Sequence, residues 1–327
     1  MQVIQDALRS ADLPYGVVAT IGNYDGLHRG QFAVINRVVE RARALEVPAV
    51  VLSFEPHPLT VLRPESAPPI LNLPEQRDRL LAEAGVDFLL LVRFNRELAQ
   101  TDAATFARNV LAEKLALQEL YVGESFVFGN DRGGNVTLLR QLGEELGFSA
   151  EGVPELTATG GTISATRIRR LVAEGAAEEA MDLLGRPYAV VGTIVRGERM
   201  GARLGWPTIN LIPDNDLVPL SGVYAGSVFF PSLPATFDCV TNVGHRPTIF
   251  ESYEQVVESH ILDFNQDVYG ERAEVRFHKR LREEKMFPTV MDLSAQIGRD
   301  VETTREYFAA RRRLHDGDRE NRSPSSE

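Results

Sequence analysis

The first half of the chain alternates short, continuous apolar runs with stretches in which apolar residues recur every three or four positions. Continuous apolar runs are typical of parallel strands, because both faces of such strands are buried. The three- and four-residue spacing predicts an amphipathic helix over residues 30–45. Together these elements predict a parallel sheet covered by helices. Its predicted strands span residues 17–21, 49–54, 88–92 and 120–123.

Near residue 184 the pattern changes to short strands separated by Gly, Pro and Asn, which is typical of an antiparallel sandwich or small barrel. The predicted strands span residues 188–195, 223–229, 237–242, 256–262 and 273–277. A final helix is predicted at about residues 290–313. The sequence therefore predicts one domain at 1–184, a second at 185–314 and a disordered tail at 315–327.

Composition narrows the function classes. A chain of 327 residues exceeds what one hydrophobic core usually serves, which agrees with two domains. The net charge of −11 argues against non-specific nucleic-acid binding. Cys239 is the only cysteine, so an intramolecular disulfide is excluded and a buried thiol in a strand is predicted. No apolar run has the length of a membrane span and no leader pattern is present, so we expect a cytoplasmic location without membrane partners.

Residues 22–31, with the sequence GNYDGLHRGQ, follow the first predicted strand and include the start of the first predicted helix. A glycine-rich loop at a helix N-terminus favours anion binding, because unpaired N–H groups and the helix dipole both point at it. The loop lacks the G-x-G-x-x-G pattern of dinucleotide-binding domains and the lysine of a Walker loop. It therefore predicts a phosphate site of another type.

This loop resembles the nucleotidyltransferase motif of bacterial FAD synthetases, G-N-F-D-G-V-H-x-G-H. His28 matches the first histidine, whereas Gln31 stands where the family usually has the second. Three more segments resemble the family: SFEPHP at 53–58, VGESFVFG at 122–129 and ISATRIR at 163–169. In these segments Ser125 replaces an aspartate and Ala165 replaces a serine.

The resemblance implies a doubly wound α/β domain that transfers an adenylyl group from ATP to FMN. It implies that His28 acts in catalysis, and that the ATP phosphates contact Gly22, Asn23, Asp25, Gly30, Gln31, Ser164, Thr166 and Arg167. The flavin would contact Pro56, His57, Pro58, Phe126 and Phe128. A structural alternative is that Arg167 lies on a solvated helix face and Ser164 caps the helix.

Residues 205–211, with the sequence GWPTINL, form a second motif. Alternation along a strand places Thr208 and Asn210 on one face, where a hydroxyl and an amide oxygen can both approach Mg²⁺. Residues 196–205, which we call the glycine segment, supply a loop that can close over phosphates. Its glycines are Gly197, Gly201 and Gly205.

This second motif resembles the riboflavin kinase signature G-x-x-L-G-F-P-T-A-N, with Trp206 and Ile209 replacing phenylalanine and alanine. Further matches are SGVYA at 221–225, NVGHRPT at 242–248, VESHILDF at 257–264 and DVYG at 267–270. The resemblance implies a small antiparallel β-barrel with a C-terminal helix. It also implies that Glu258 is the general base that takes the proton of the riboflavin 5′-hydroxyl as this oxygen attacks the γ-phosphate of ATP. A structural glutamate paired with an arginine is the alternative.

Both resemblances together predict an enzyme that converts riboflavin to FMN and FMN to FAD, with ATP as co-substrate and Mg²⁺ at each site. One alternative is a riboflavin kinase with a degenerate first domain, which Gln31, Ser125 and Ala165 favour. Another is a flavin-binding regulatory protein without turnover. Thr208, Asn210 and Glu258 argue against that alternative, since binding alone needs no positioned base. The sequence does not indicate an oligomeric state.

Overall fold

The structure is a computed structural model that describes residues 1–197, 200–233, 235–247 and 253–320. The chain divides into two compact units, Met1–Arg167 and Ile168–Glu327. The boundary predicted from the sequence, after residue 184, lies further along the chain and stays a prediction.

The first unit contains the predicted parallel sheet. Its strands are β1 (Gln2–Ile4), β2 (Val18–Ile21), β3 (Ala49–Glu55), β4 (Phe88–Arg93), β5 (Glu119–Gly123), β6 (Val127–Phe128), β7 (Gly134–Asn135), β8 (Ser149–Val153), β9 (Thr157–Ala158) and β10 (Gly161–Thr162). Six of them form one sheet in the order β1-β4-β3-β2-β5-β8. Every pairing in this sheet is parallel, which confirms the predicted sheet type. Strands β6 with β7 and β9 with β10 form two short antiparallel pairs.

Helices cover this sheet. They are α1 (Arg29–Leu45), α2 (Pro58–Leu62), α3 (Pro74–Glu83), α4 (Arg96–Ala99), α5 (Ala103–Phe106), the π-helix Ala107–Lys114, α6 (Val136–Leu146) and α7 (Ala165–Ala173), which crosses the unit boundary. Helix α1 buries Val34, Ile35, Val38 and Ala42, the face that the apolar spacing predicts. In the sheet, β2 lies between β3, the next strand along the chain, and β5, which follows later. The carboxyl ends of β2 and β5 therefore form a topological switch point, where open α/β sheets bind ligands.

The second unit is built around a closed barrel with the strand order β11-β12-β15-β14-β13-β16. All its pairings are antiparallel, and the sheet closes on itself, so the barrel and not the sandwich is correct. The strands are β11 (Tyr188–Val195), β12 (Ile209–Pro213), β13 (Gly222–Phe229), β14 (Thr236–Pro247), β15 (Tyr253–Ile261) and β16 (Arg272–Arg282). The helices are α8 (Ala177–Leu184), α9 (Met200–Arg203) and α10 (Val290–Glu320).

Helix α10 corrects one expectation at the C-terminus. It continues to Glu320, so residues 315–320 are helical where the sequence predicted a disordered tail. Adding residues to an existing helix costs little, because nucleation has already occurred. Residues 321–327 lie outside the described residues.

Cys239 lies in β14 and is fully buried, as the sequence predicted. Burial raises the pKa of its thiol to about 12. Its sulfur lies 3.3 Å from Thr241 Oγ1. The thiol is therefore protonated and shielded at neutral pH, which agrees with a packing role.

His278 is a buried histidine at a β-bulge between β13 and β16. Its Nε2 lies 3.1 Å from Ser227 Oγ, whereas Nδ1 has no hydrogen-bond partner among the described residues. The rings of Tyr307 and Phe308 on α10 cover it edge-on. Burial, assisted by the positive charges of Arg311 and Arg276, lowers the pKa of His278 to about 4.

This lowered pKa predicts a loss of stability in acid. Since the unfolded chain takes up the proton near pH 6.5 and the folded chain only near pH 4, stability is full above pH 6.5 and falls between these values. The loss is on the order of 3 kcal/mol. In His278→Gln, the free energy of unfolding is expected to change less between pH 6.5 and pH 4. Urea unfolding at pH 7.5, 6, 5 and 4 measures the free energy of unfolding of both proteins. If this free energy fell equally with pH in the natural protein and in His278→Gln, the assignment to His278 would be wrong.

Candidate active sites

A cavity of about 290 Å³ lies at the switch point of the first unit. The carboxyl ends of β2, β5 and β8 form its floor, and the loop before α1 forms one wall. Seven residues predicted for the site line it: Gly22, Asn23, His28, Gly30, Gln31, Phe126 and Ser164. Two of the positions that depart from the family pattern, Ser125 and Ala165, also line it. The structure thus brings together segments that are far apart in the sequence.

His28 is the N-cap residue of α1. Its Nδ1 accepts the backbone N–H of Gln31 at 3.2 Å, and Gln31 Oε1 accepts the backbone N–H of His28 at 3.1 Å. This is a capping box in which an imidazole takes the place of the usual hydroxyl. Because Nδ1 is the acceptor, a neutral His28 has its proton on Nε2.

The side-chain amide of Gln31 also contacts the start of the loop, where Nε2 donates to the backbone carbonyl of Asn23 at 3.0 Å. Gln31 is therefore bonded to both ends of the loop between β2 and α1, Asn23 and His28. The sequence alone predicted a phosphate contact for this amide. The geometry adds a loop-bracing contact that sequence reasoning missed.

The floor of this cavity includes Tyr24, which is buried. Its hydroxyl lies 2.5 Å from Thr20 Oγ1 in β2, and burial raises the pKa of the phenol above its usual range. The hydrogen bond satisfies two buried hydroxyl groups and fixes the ring under the loop.

Asp25 is directed to another part of the unit. Its Oδ1 accepts the backbone N–H groups of Leu71 at 2.7 Å and Asn72 at 3.2 Å. The next residue, Gly26, has φ +90°, and a Cβ there would lie 2.7 Å from Leu71 Cδ1. Asp25 and Gly26 thus attach the loop to the segment before α3, and Asp25 is outside the cavity lining.

Arg167 braces the chain beside the cavity. Its guanidinium donates to the backbone carbonyls of Gly161, at 2.9 Å, and Thr159, and its own backbone N–H donates to Ser164 Oγ at 3.3 Å. Ser164 therefore caps the start of α7, as the structural alternative proposed. Thr166 is exposed in the first turn of α7, and neither it nor Arg167 lines the cavity.

Only one of the five residues predicted to bind flavin is part of the cavity lining. Phe126 lines the cavity, and Phe128 stacks behind it with ring centroids 5.7 Å apart. Pro56, His57 and Pro58 lie outside the cavity lining. His57 is the N-cap of α2, where its Nδ1 accepts the backbone N–H of Leu59 at 3.2 Å.

A second cavity, of about 250 Å³, lies in the second unit between the barrel and α10. Three residues that the sequence analysis named as site residues line it: Thr208, Glu258 and Gly201. Thr208 Oγ1 donates a hydrogen bond of 2.6 Å to Glu258 Oε1. The hydroxyl therefore fixes the orientation of the carboxylate inside the cavity.

Strand register places two amides beside this carboxylate. Glu258 in β15 is paired with Asn210 in β12 and with Asn242 in β14. Residues directly opposite each other in antiparallel strands project to the same face of the sheet. Asn242 lines the cavity and was not predicted as a site residue; it is the first residue of the matching segment at 242–248. The register of β14 against β15 is what places it beside Glu258.

The glycines of the glycine segment are explained by close packing. A Cβ at Gly197 would lie 2.3 Å from Asn210 Nδ2, and one at Gly201 would lie 2.4 Å from the backbone oxygen of Trp206. Gly205 has φ +83°, which favours glycine. Gly201 and Gly205 thus require glycine for backbone reasons, whereas Gly197 leaves room for the side chain of Asn210. The contact of all three with phosphates stays a prediction.

An ion pair that the sequence did not predict closes one end of the cavity. Arg282 at the end of β16 donates from Nε and a terminal nitrogen to both oxygens of Asp300 on α10, at 2.8 to 3.2 Å. Gln296 donates to the same carboxylate at 2.8 Å. Asp300 is only 5% exposed, so this bidentate pair anchors α10 to the barrel.

Comparisons with known proteins agree with this two-site geometry. Residues 11–167 match the FAD synthetase family, and residues 184–308 match the riboflavin kinase family. The bifunctional riboflavin kinase/FMN adenylyltransferase of Escherichia coli strain K12 is 38% identical over 90% of this chain and 93% of that protein. The chain belongs to the bifunctional riboflavin kinase/FMN adenylyltransferase family. It is therefore an enzyme of flavin cofactor biosynthesis.

Other members of this family and one solved structure are similar to the chain. The Pseudomonas fluorescens enzyme of the same description is 39% identical over 90% of this chain and 94% of that protein. A crystal structure titled as a macrolide-efflux protein from Streptococcus pneumoniae has a TM-score of 0.84 and 29% identity. The match covers 93% of this chain and 99% of the Streptococcus pneumoniae chain. Within the described part of our chain, no helix combines the length and hydrophobicity of a membrane span.

Proposed function

We propose that the cavity of the second unit phosphorylates riboflavin with ATP and that Glu258 is the general base. The observation that carries this proposal is the short hydrogen bond from Thr208 Oγ1 to Glu258 Oε1 inside the cavity. It fixes one carboxylate oxygen, so the second can take the proton of the riboflavin 5′-hydroxyl. The deprotonated oxygen attacks the γ-phosphorus, the bond to the β-phosphate oxygen breaks, and FMN and ADP form.

The apolar residues of the cavity suit the flavin ring. Val223 and Val240 of the barrel face Leu293 and Ile297 of α10 across it. A flat, largely apolar ring fits between apolar walls that carry a few polar groups. We therefore place the isoalloxazine ring against α10 and the ribityl chain toward Glu258, with the nucleotide beside Gly201.

We propose that Mg²⁺ binds beside Glu258, with Thr208 in the cavity lining and Asn210 paired with Glu258 in the strand register. Within the described residues no cluster of three or more His, Cys, Asp or Glu could hold a metal ion. Mg²⁺ at nucleotide sites needs only one or two protein ligands besides phosphates and water. Thr208 and Asn210 would supply a hydroxyl and an amide oxygen at this position, and the metal would neutralise charge on the phosphates. The short contact from Thr208 to Glu258 shows that the hydroxyl proton already has an acceptor.

For the first unit we propose adenylyl transfer from ATP to FMN, with release of pyrophosphate. His28 would donate from Nε2 to a phosphate oxygen, since its Nδ1 caps α1. The N-terminus of α1 adds backbone N–H groups and the positive end of the helix dipole. The FMN phosphate attacks the α-phosphorus of ATP, and the cavity stabilises the charge that develops on the phosphate oxygens.

Gln31 is expected to act mainly by bracing the loop. Gln31→Glu keeps the acceptor for the N–H of His28 but places an oxygen against the carbonyl of Asn23. We expect FAD formation to fall by roughly tenfold, mostly through a higher KM for ATP, because a donor is lost and two acceptors face each other. Steady-state kinetics with FMN and ATP measure this change.

Gln31→His tests the family residue at the same position. One imidazole cannot reproduce both amide contacts, so this variant is expected to be no faster than the natural enzyme. A clear rise in FAD formation would contradict the bracing role and show that the natural site lacks a cation.

Two single substitutions test the two sites independently. Glu258→Gln addresses riboflavin phosphorylation and His28→Ala addresses adenylyl transfer. A chain that phosphorylates riboflavin but makes no FAD would support the alternative of a degenerate first unit. Chromatography of the flavins separates these outcomes.

A further inference from the structure

Trp206 is bonded to two different walls of the second cavity. Its backbone N–H donates to the carbonyl of Gly201 in the glycine segment at 2.8 Å. Its indole Nε1 donates to Ser294 Oγ on α10 at 3.1 Å. One residue thus connects the wall that we assign to the nucleotide with the helix that we assign to the flavin.

The indole ring is also packed on both sides. It meets the His260 ring edge-on, with centroids 5.4 Å apart, and His260 Nδ1 lies 2.8 Å from the carbonyl of Pro207. On the other side, a Cβ built at Gly298 would lie 3.6 Å from the indole, so the ring lies against the backbone of α10. The ring therefore cannot turn without moving either α10 or the strand that carries Glu258.

Helix α10 has a second anchor of different chemistry, the ion pair between Arg282 and Asp300. Helix α10 contributes Leu293, directly before the first anchor at Ser294, and Ile297, between the two anchors, to the cavity wall. The pair lies one to two turns beyond Ser294 on the helix, so Trp206 determines the position of the N-terminal turns. These are the turns that a bound ring would contact.

We infer that Trp206 is a positioning residue that couples riboflavin binding to ATP binding. Because Trp206 is bonded to both walls, a flavin that holds α10 in place also holds Gly201 in place, which favours nucleotide binding. By linkage, the nucleotide strengthens flavin binding by the same factor. This inference rests on the proposed kinase function of the second unit.

The experiment measures the dissociation constant of riboflavin with and without a non-hydrolysable ATP analogue and Mg²⁺, by titration calorimetry. The ratio of the two constants is the coupling factor. Ser294→Ala and Trp206→Phe each remove the indole hydrogen bond, one from either partner. Both are expected to lower the coupling factor by roughly two- to tenfold, the effect of one neutral hydrogen bond. The double variant is expected to show no further loss.

Thr303→Ala is the matched control on the same helix. Thr303 is exposed, and its hydroxyl donates to the backbone carbonyl of Arg299 on the same helix at 2.9 Å. This variant is expected to keep the full coupling factor. Trp206 is the only tryptophan of the chain, so its fluorescence gives a second titration signal for the natural protein, Ser294→Ala and Thr303→Ala.

The outcomes separate this inference from the kinase proposal. If the natural protein binds no riboflavin, the proposed function fails. If it binds riboflavin equally well with and without nucleotide, or if both variants keep the coupling factor, the inference fails alone. Lower melting temperatures with unchanged coupling would mean that the hydrogen bond is only structural.

Discussion

Replacing Glu258 by glutamine is expected to lower riboflavin phosphorylation by about a thousandfold, within the usual range for loss of a general base. Glutamine has nearly the same shape, and its carbonyl oxygen can still accept the hydroxyl of Thr208. The geometry of the cavity is therefore retained while the proton acceptor is lost. Initial rates of FMN formation from riboflavin and ATP measure the effect.

Two controls accompany this variant. Conversion of supplied FMN to FAD is expected to stay unchanged, because Glu258 lies in the second unit and the adenylyl transfer site in the first. Glu284→Gln removes another carboxylate that lines the same cavity and is expected to retain most of the phosphorylation. If Glu258→Gln kept comparable kinase activity, the general-base assignment would be wrong.

Replacing His28 by alanine is expected to lower FAD formation by about a hundred- to a thousandfold, the typical effect of losing one donor at a transition-state oxyanion. The substitution removes the proton that the neutral imidazole has on Nε2. It also removes the N-cap of α1, which costs about 1 kcal/mol of stability. Rates of FAD formation from FMN and ATP, with melting temperatures, measure both effects.

His28→Asn separates these two roles. Asparagine is a good N-cap residue, so it restores the cap while it lacks the imidazole. We expect the stability of His28→Asn to approach that of the natural protein and its FAD formation to stay low. Full FAD formation by this variant would mean that His28 only caps the helix. Riboflavin phosphorylation is expected to be unaffected in both variants.

Strong local patterns account for the parts of the fold that the sequence predicted. Strand β3 is a continuous apolar run, and α1 has a regular apolar face, so both were located to within one residue. Strand β1 has three residues and β8 has no fully buried residue, so neither has a recognisable pattern. Both are edge strands, which the remainder of the sheet positions.

In the candidate sites, too, residues in contiguous motifs were predicted and residues placed by long-range contacts were not. Contiguous motifs identified His28, Gln31, Thr208 and Glu258, and the structure brings each of them to a cavity. Asn242 depends on the register of β14 against β15, which no local pattern specifies. The contact of Trp206 with Ser294 joins residues 88 positions apart in the sequence, so it required the three-dimensional structure.

The measurement that most directly tests two independent active sites on one chain follows FMN and FAD over time, by chromatography, from riboflavin, ATP and Mg²⁺. The natural protein is expected to form FMN first and FAD afterwards. His28→Ala should stop at FMN, Glu258→Gln should form neither product, and a mixture of the two variants should regain FAD formation because FMN can diffuse between molecules. A mixture of stable, folded variants that still formed no FAD would contradict the account.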